Sequence, residues 1–111
     1  MLTQEYLREC LDYNENTGEF FWRERPKTHF KSKKSMKVFN SKFSGKLAGS
    51  VEEYIGKDGQ RKSRIRIRLQ DKAYLAHRLA WLHVLGFVPE HVAHSDGNGL
   101  NNSIKNVCEF I

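Results

Sequence analysis

The stretch Val92-Ala93-His94-Ser95-Asp96-Gly97-Asn98-Gly99-Leu100-Asn101-Asn102-Ser103-Ile104-Lys105-Asn106-Val107 gathers residues that can do chemistry. An imidazole at a strand end, facing an asparagine across a hairpin, suits hydrolysis of a phosphodiester. His94 could take a proton from water as general base near neutral pH. The side-chain carbonyl of Asn106 could hold the other ring N–H and so fix tautomer and orientation. Asp96 and Asn98, with Gly97 and Gly99 for left-handed backbone positions, would shape the turn between them. The same composition also describes a turn whose amides satisfy its own backbone, so the residue types alone leave both readings open.

The elements that must position this segment follow from periodicity and turn chemistry. Thr3 is a suitable N-cap for a short helix running to about Leu11, and Asn14 to Gly18 reads as a turn that feeds an aromatic strand, Glu19 to Arg23. From Pro26 to Gly45 no clean periodicity exists, which predicts a long basic loop. A sheet begins at Leu47 to Val51, Lys57-Asp58-Gly59-Gln60 is a hairpin turn, Ser63 to Leu69 pairs back, and Ala73 to Leu75 follows a tight turn at Gln70 to Lys72. Ala76 to Leu85 is an apolar helix stopped by Gly86, and His91–His94 and Asn106–Phe110 are the strands that bracket the Gly/Asn-rich loop. The predicted class is α+β: a short N-terminal helix, a small antiparallel sheet, a central apolar helix and a C-terminal ββ hairpin.

The net charge of +6 is strongly segregated. Residues 23–46 carry nine bases, among them Lys31, Lys33, Lys34 and Lys37, against Glu24 alone, and residues 57–78 carry eight bases against Asp58 and Asp71. Two such blocks make a one-signed field that attracts polyanions, with DNA the leading partner and an acidic protein surface the alternative. In Arg64-Ile65-Arg66-Ile67-Arg68-Leu69 the alternation is strict. A strand there buries Ile65, Ile67 and Leu69 on one face and lines the three guanidiniums along the other, about 7 Å apart. The lysine run from Lys31 to Lys37 also has a plainer reading as a solvated loop.

A chain of 111 residues predicts one small domain and excludes a large two-lobed enzyme. The 39% hydrophobic share, with 7 Phe, 4 Tyr and 2 Trp, suffices for a thin core. No apolar run is long enough for a membrane span and the start lacks the order of a secretion signal, so a soluble cytoplasmic protein is expected. Cys10 and Cys108 stand at opposite ends without a Cys-x-x-Cys pair, and are expected to be thiols that help fill the core.

The run His77-Arg78-Leu79-Ala80-Trp81, then Gly86-x-x-Pro89, then Val92-x-His94-x-Asp96-Gly97-Asn98-x-x-Asn101-Asn102-x-Ile104-x-Asn106-Val107 resembles the HNH endonucleases of phages and mobile elements. Leu11-Asp12-Tyr13-Asn14-x-x-Thr17-Gly18-Glu19-Phe20-x-Trp22, Gly45-Lys46-x-Ala48-Gly49-Ser50 and Tyr74-x-Ala76-His77-Arg78 are similar to that family's lead-in, so the resemblance covers nearly the whole chain. It implies a single domain over 1–111, divided into a lead-in (1–25), the basic loop (26–46), sheet and helix (47–88) and an HNH-like hairpin (89–111). It also implies a ββα-metal site in which His94 matches the general base and Asn106 the orienting asparagine, with a divalent cation, Mg²⁺ or Mn²⁺, at the phosphate. His77 matches the histidine that opens the preceding helix, where it packs or caps, and Arg78 beside it joins the candidate nucleic-acid contacts.

Two departures stand out. Ala93 occupies the place of a frequent metal-binding Asp or Asn, and the sequence reaches Ile111 before the family's last helix and its ligand, so the hairpin is expected to lack that helix. Asp96, Glu109 and the C-terminal carboxylate are then the local oxygens that could join His94 at a cation. Two functions compete: a small metal-dependent endonuclease that nicks DNA, and a nuclease-derived binding protein that grips nucleic acid or blocks a partner, as a phage inhibitor of a host defence protein would. Monomer and homodimer are both open.

Overall fold

A computed structural model of the protein describes residues 2–109. Thr3 caps α1 (Gln4–Cys10), its Oγ1 accepting from the Tyr6 N–H at 3.1 Å. The helix ends one residue earlier than expected, because Leu11 is already extended and opens β1 (Leu11–Tyr13), which pairs antiparallel with β2 (Phe20–Trp22). This first strand was not expected. At three residues it is too short to show an alternation distinct from the end of a helix.

The basic loop predicted for residues 26–46 is corrected by the structure: after a 3-10 turn (Lys27–His29), Lys33–Phe43 forms α2. Ser32 is its N-cap, accepting from the Ser35 N–H. Met36, Phe39, Asn40 and Phe43 recur at helical spacing on the half-buried side, but the lysines between them hide that stripe in a one-dimensional reading.

The three-stranded sheet β3 (Ser50–Ile55), β4 (Arg61–Leu69) and β5 (Lys72–Leu75) is antiparallel in that order. The predicted turn at Lys57–Gln60 sets its register, Ser50 opposite Arg66 and Ile55 opposite Arg61. Gln70 and Asp71, both at positive φ, close the β4–β5 turn. α3 (Ala76–Leu85) then follows directly and stops at Gly86, whose φ of 85° is the left-handed cap the sequence predicts. β6 (Val92–His94) and β7 (Val107–Glu109) form the hairpin of the candidate site, with His94 paired to Val107. Phe110 and the C-terminal carboxylate, invoked above as strand residue and ligand, lie outside the described residues.

The class is therefore α+β, with three separate small sheets. One core joins them, built from Leu7, Leu11, Phe20, Ile67, Leu69, Leu79, Ala80 and Val107. The buried face of α3 carries Ala76, Leu79, Ala80 and Leu82, so this helix is a core element as expected. Cys10 is buried among them, whereas Cys108 is exposed and does not fill the core. No helix among the described residues is long and apolar enough to cross a membrane.

Candidate active site and nucleic-acid interface

β6 ends at His94, and the chain turns at once: the Gly97 N–H bonds the His94 carbonyl at 3.0 Å, with Gly97 at a φ of 73°. The loop that follows is held by its own polar side chains. Asp96 Oδ1 accepts from the Asn98 N–H and from Asn106 Nδ2, both at 2.8 Å, and Oδ2 accepts from Asn101 Nδ2 at 2.9 Å. Asn106 Nδ2 also reaches the Asn101 carbonyl, and its Oδ1 accepts from the Asp96 N–H. The Asn98 N–H, followed by the Asn101 and Asn106 amides, holds the Asp96 carboxyl below its usual range.

These contacts place Asn106 differently from the expectation. Its amide is spent on the loop, and the side chain that meets His94 is Asn102, whose Oδ1 lies 2.8 Å from Nε2. With the amide oxygen toward the ring, Nε2 is the donor in this contact and the lone pair falls on Nδ1, while Asn102 Nδ2 is buried without a partner among the described residues. Asn102 is 1% exposed. Its backbone carbonyl accepts from the Tyr13 hydroxyl, and the adjacent Ser103 Oγ donates to the Glu15 carbonyl at 2.6 Å. The lead-in hairpin thus fixes the residue that fixes His94. The sequence signal was the doublet Asn101-Asn102, of which only the second is turned inward.

His94 lines a cleft of about 530 Å³ together with His77, Tyr54, Arg64, the Gln60–Ser63 segment and the Gly97–Leu100 loop. Gly99 permits that closure, because a Cβ there would overlap the Ser63 carbonyl on β4. His77 packs edge-on against His94 with ring centroids 4.8 Å apart. It does not cap α3, whose N-cap residue is Leu75, and its buried Nδ1 has no partner. Burial, reinforced by the neighbouring His94, pushes the His77 pKa down from 6.5 to about 4.

A pH dependence follows. His77 favours its neutral form when folded, so its contribution is fully present above pH 6.5 and is lost as pH falls from 6.5 through about 4. Burial lowers His83 in the same direction. The Tm should fall over that window, with His77 accounting for roughly 1–2 kcal/mol. His77→Phe keeps the ring packing and should flatten the acid limb in a pH series of thermal melts; an unchanged limb would contradict the assignment.

The arginine strand alternates as expected from Arg66 to Leu69, with Ile67 and Leu69 buried and Arg66 and Arg68 exposed, but Ile65, expected to be buried, is only half-buried, as is Arg64. Its guanidiniums are not all free. Glu52, directly across from Arg64, bonds Arg64 Nε at 2.6 Å and also pairs with Arg66, which keeps the Glu52 carboxyl below its usual range. The Arg64 guanidinium also lies 4.3 Å from the Tyr54 ring centroid. Arg68 has no carboxylate partner among the described residues. Lys33, Lys34 and Lys37 lie on α2 with Lys31 just before it, and Arg78 faces away from the cleft, donating to the Glu90 carbonyl at 3.2 Å.

The described residues do not fit a divalent cation at His94. Asp96 already accepts three hydrogen bonds from its own loop, Ala93 offers no side-chain donor, and Glu109 is paired in register with Val92, two residues from His94 along the hairpin. No group of three or more His, Cys, Asp or Glu side chains among the described residues could hold a metal ion.

The β6–β7 hairpin thus presents a histidine held by Asn102 in a cleft that also contains Arg64. Residues 74–110 match the model of the HNH endonuclease family, and no curated protein or solved structure matches the chain. The resemblance read from His77 to Val107 is borne out over that segment, which carries α3, β6 and β7.

Proposed function

We propose that this protein is an endonuclease that nicks DNA, with His94 as general base. A water molecule gives its proton to Nδ1 as its oxygen attacks the phosphorus, the bond to the sugar oxygen on the opposite side breaks, and that oxygen takes a proton from solvent to leave as the alcohol. Asn102 is the positioning residue, keeping the proton on Nε2. Arg64, in the same cleft, offsets charge on the phosphoryl oxygens. The observation that carries this reading is the His94–Asn102 contact at 2.8 Å inside a cleft that also holds Arg64. Arg66 and Arg68 would continue the backbone contact outward.

Supercoiled plasmid incubated with the purified protein, in buffer containing Mg²⁺ or Mn²⁺, should accumulate nicked circles. DNA binding without nicking under any such condition would overturn the proposal. That outcome would select the second reading, a nuclease-derived binding protein, favoured by one observation: the Asp96 carboxylate is engaged by three hydrogen bonds from its own loop.

The strand face has its own test. Charge reversal at Arg64, Arg66 and Arg68 together should weaken DNA binding by at least about tenfold and make its salt dependence shallower. Unchanged affinity would mean that the strand does not touch DNA.

A further inference from the structure

We propose that the lysine face of α2 docks on the phosphate backbone of double-helical DNA. This rests on the reading that the protein acts on DNA, but it concerns residues outside the segment 74–110 that matches the family. Met36, Phe39, Asn40 and Phe43 form the inward side of α2, which leaves Lys34, Val38 and Ser41 along the centre of the outward side, Lys37 and Lys42 at its two flanks and Lys33 at the exposed first turn. No carboxylate among the described residues pairs with any of these lysines. The first turn holds no acid, so Lys33 and Lys34 sit where a helix least tolerates positive charge. An anionic partner relieves that local conflict.

The mount is rigid. Asn40 clamps Arg25 from both sides, its Oδ1 accepting from the Arg25 N–H at 2.9 Å and its Nδ2 donating to the Arg25 carbonyl at 3.0 Å. The Arg25 guanidinium lies 4.9 Å from the centroid of Phe39, which meets Trp22 edge-on at 5.3 Å. On its inward side α2 borders a groove lined by Trp22, Phe39, Phe43, Arg66, Arg68 and Asp71, so the helix packs beside the arginine strand, and Arg64 on that same strand opens into the His94 cleft.

The outward face also says which polyanion it fits. Single strands are held by stacking on aromatic rings, and the outward side of α2, Lys33, Lys34, Lys37, Val38, Ser41 and Lys42, carries none. Protein interfaces want an apolar centre, and the outward side offers only Val38. What remains is a cluster of exposed ammonium groups on a rigid helix, which suits the regular charge of a double-helical backbone.

The triple variant Lys33→Glu/Lys34→Glu/Lys37→Glu, with Lys→Gln at the same three positions as the neutral counterpart, separates these cases. Binding is read by fluorescence anisotropy on a duplex of about two helical turns and on a single strand of equal length, across a salt series. The expected result is a duplex affinity lowered at least about tenfold by the Glu variant and less by the Gln variant. The salt slope should be shallower by about 2–3, and helicity and Tm should be preserved. Duplex affinity and slope equal to wild type, or an equal loss on the single strand, would overturn the proposal. If wild type binds duplex in an α2-dependent way but does not nick plasmid, the catalytic reading falls and this one stands. If wild type nicks while the triple variant binds normally, this one falls alone. A wild type that fails to bind duplex sinks both.

Discussion

Replacing Gly18 with alanine should lower the unfolding free energy by roughly 3 kcal/mol or more, although Gly18 is far in sequence from the candidate site. Two causes add. Gly18 has a φ of 78°, a backbone conformation that costs a non-glycine residue on the order of 1 kcal/mol or more. In addition, a Cβ at this position would overlap the backbone of Asn102 and Ser103, where the neighbours are main-chain atoms and cannot swing aside. The two segments are also tied by hydrogen bonds from Ser103 Oγ to the Glu15 carbonyl and from the Tyr13 hydroxyl to the Asn102 carbonyl. Gly45 is the natural control, since its φ of 81° is similar but nothing lies within 4 Å of its added Cβ. Urea unfolding of Gly18→Ala and Gly45→Ala should therefore differ by the clash alone. Equal losses would show that the lead-in turn does not bear on the Asn102 segment.

The second large effect is on turnover. Asn102→Ala should slow plasmid nicking by roughly tenfold to a hundredfold while leaving duplex affinity near wild type, because the lost contact is to the base and not to DNA. Asn106→Ala loosens the Asp96 loop and should show chiefly as lost stability. Structural damage alone could slow the Asn102→Ala variant, so the pH profile is the discriminating readout. Asn102→Asp keeps an acceptor for Nε2 and restores rate, but a carboxylate beside an imidazole holds its proton to higher pH. The rising limb of the rate profile should therefore move to higher pH. A limb that stays in place would remove Asn102 from the mechanism.

Much of the scaffold was legible because each element announces itself locally: Thr3 as a cap, Gly86 as a stop, Arg64 to Leu69 as an alternating strand. α2 was not, since its apolar stripe shares its turns with lysines and its burial comes from a side cluster around Arg25 and Trp22. In the site, the histidine could be found and its partner could not. Asn102 and Asn106 are the same residue type in the same loop, and which amide reaches His94 depends on Tyr13 and Glu15 seizing the Asn102–Ser103 backbone from the far end of the chain. Pairing of Glu52 with Arg64 and Arg66 likewise became visible only once the hairpin register was known.

The most direct measurement of the central claim compares wild type and His94→Ala side by side, scoring conversion of supercoiled plasmid to nicked circles together with duplex affinity at one salt concentration. His94 as general base predicts nicking by wild type, a loss of about a hundredfold or more in the variant, and matched affinities. Nicking that survives at the wild-type rate in His94→Ala would contradict it.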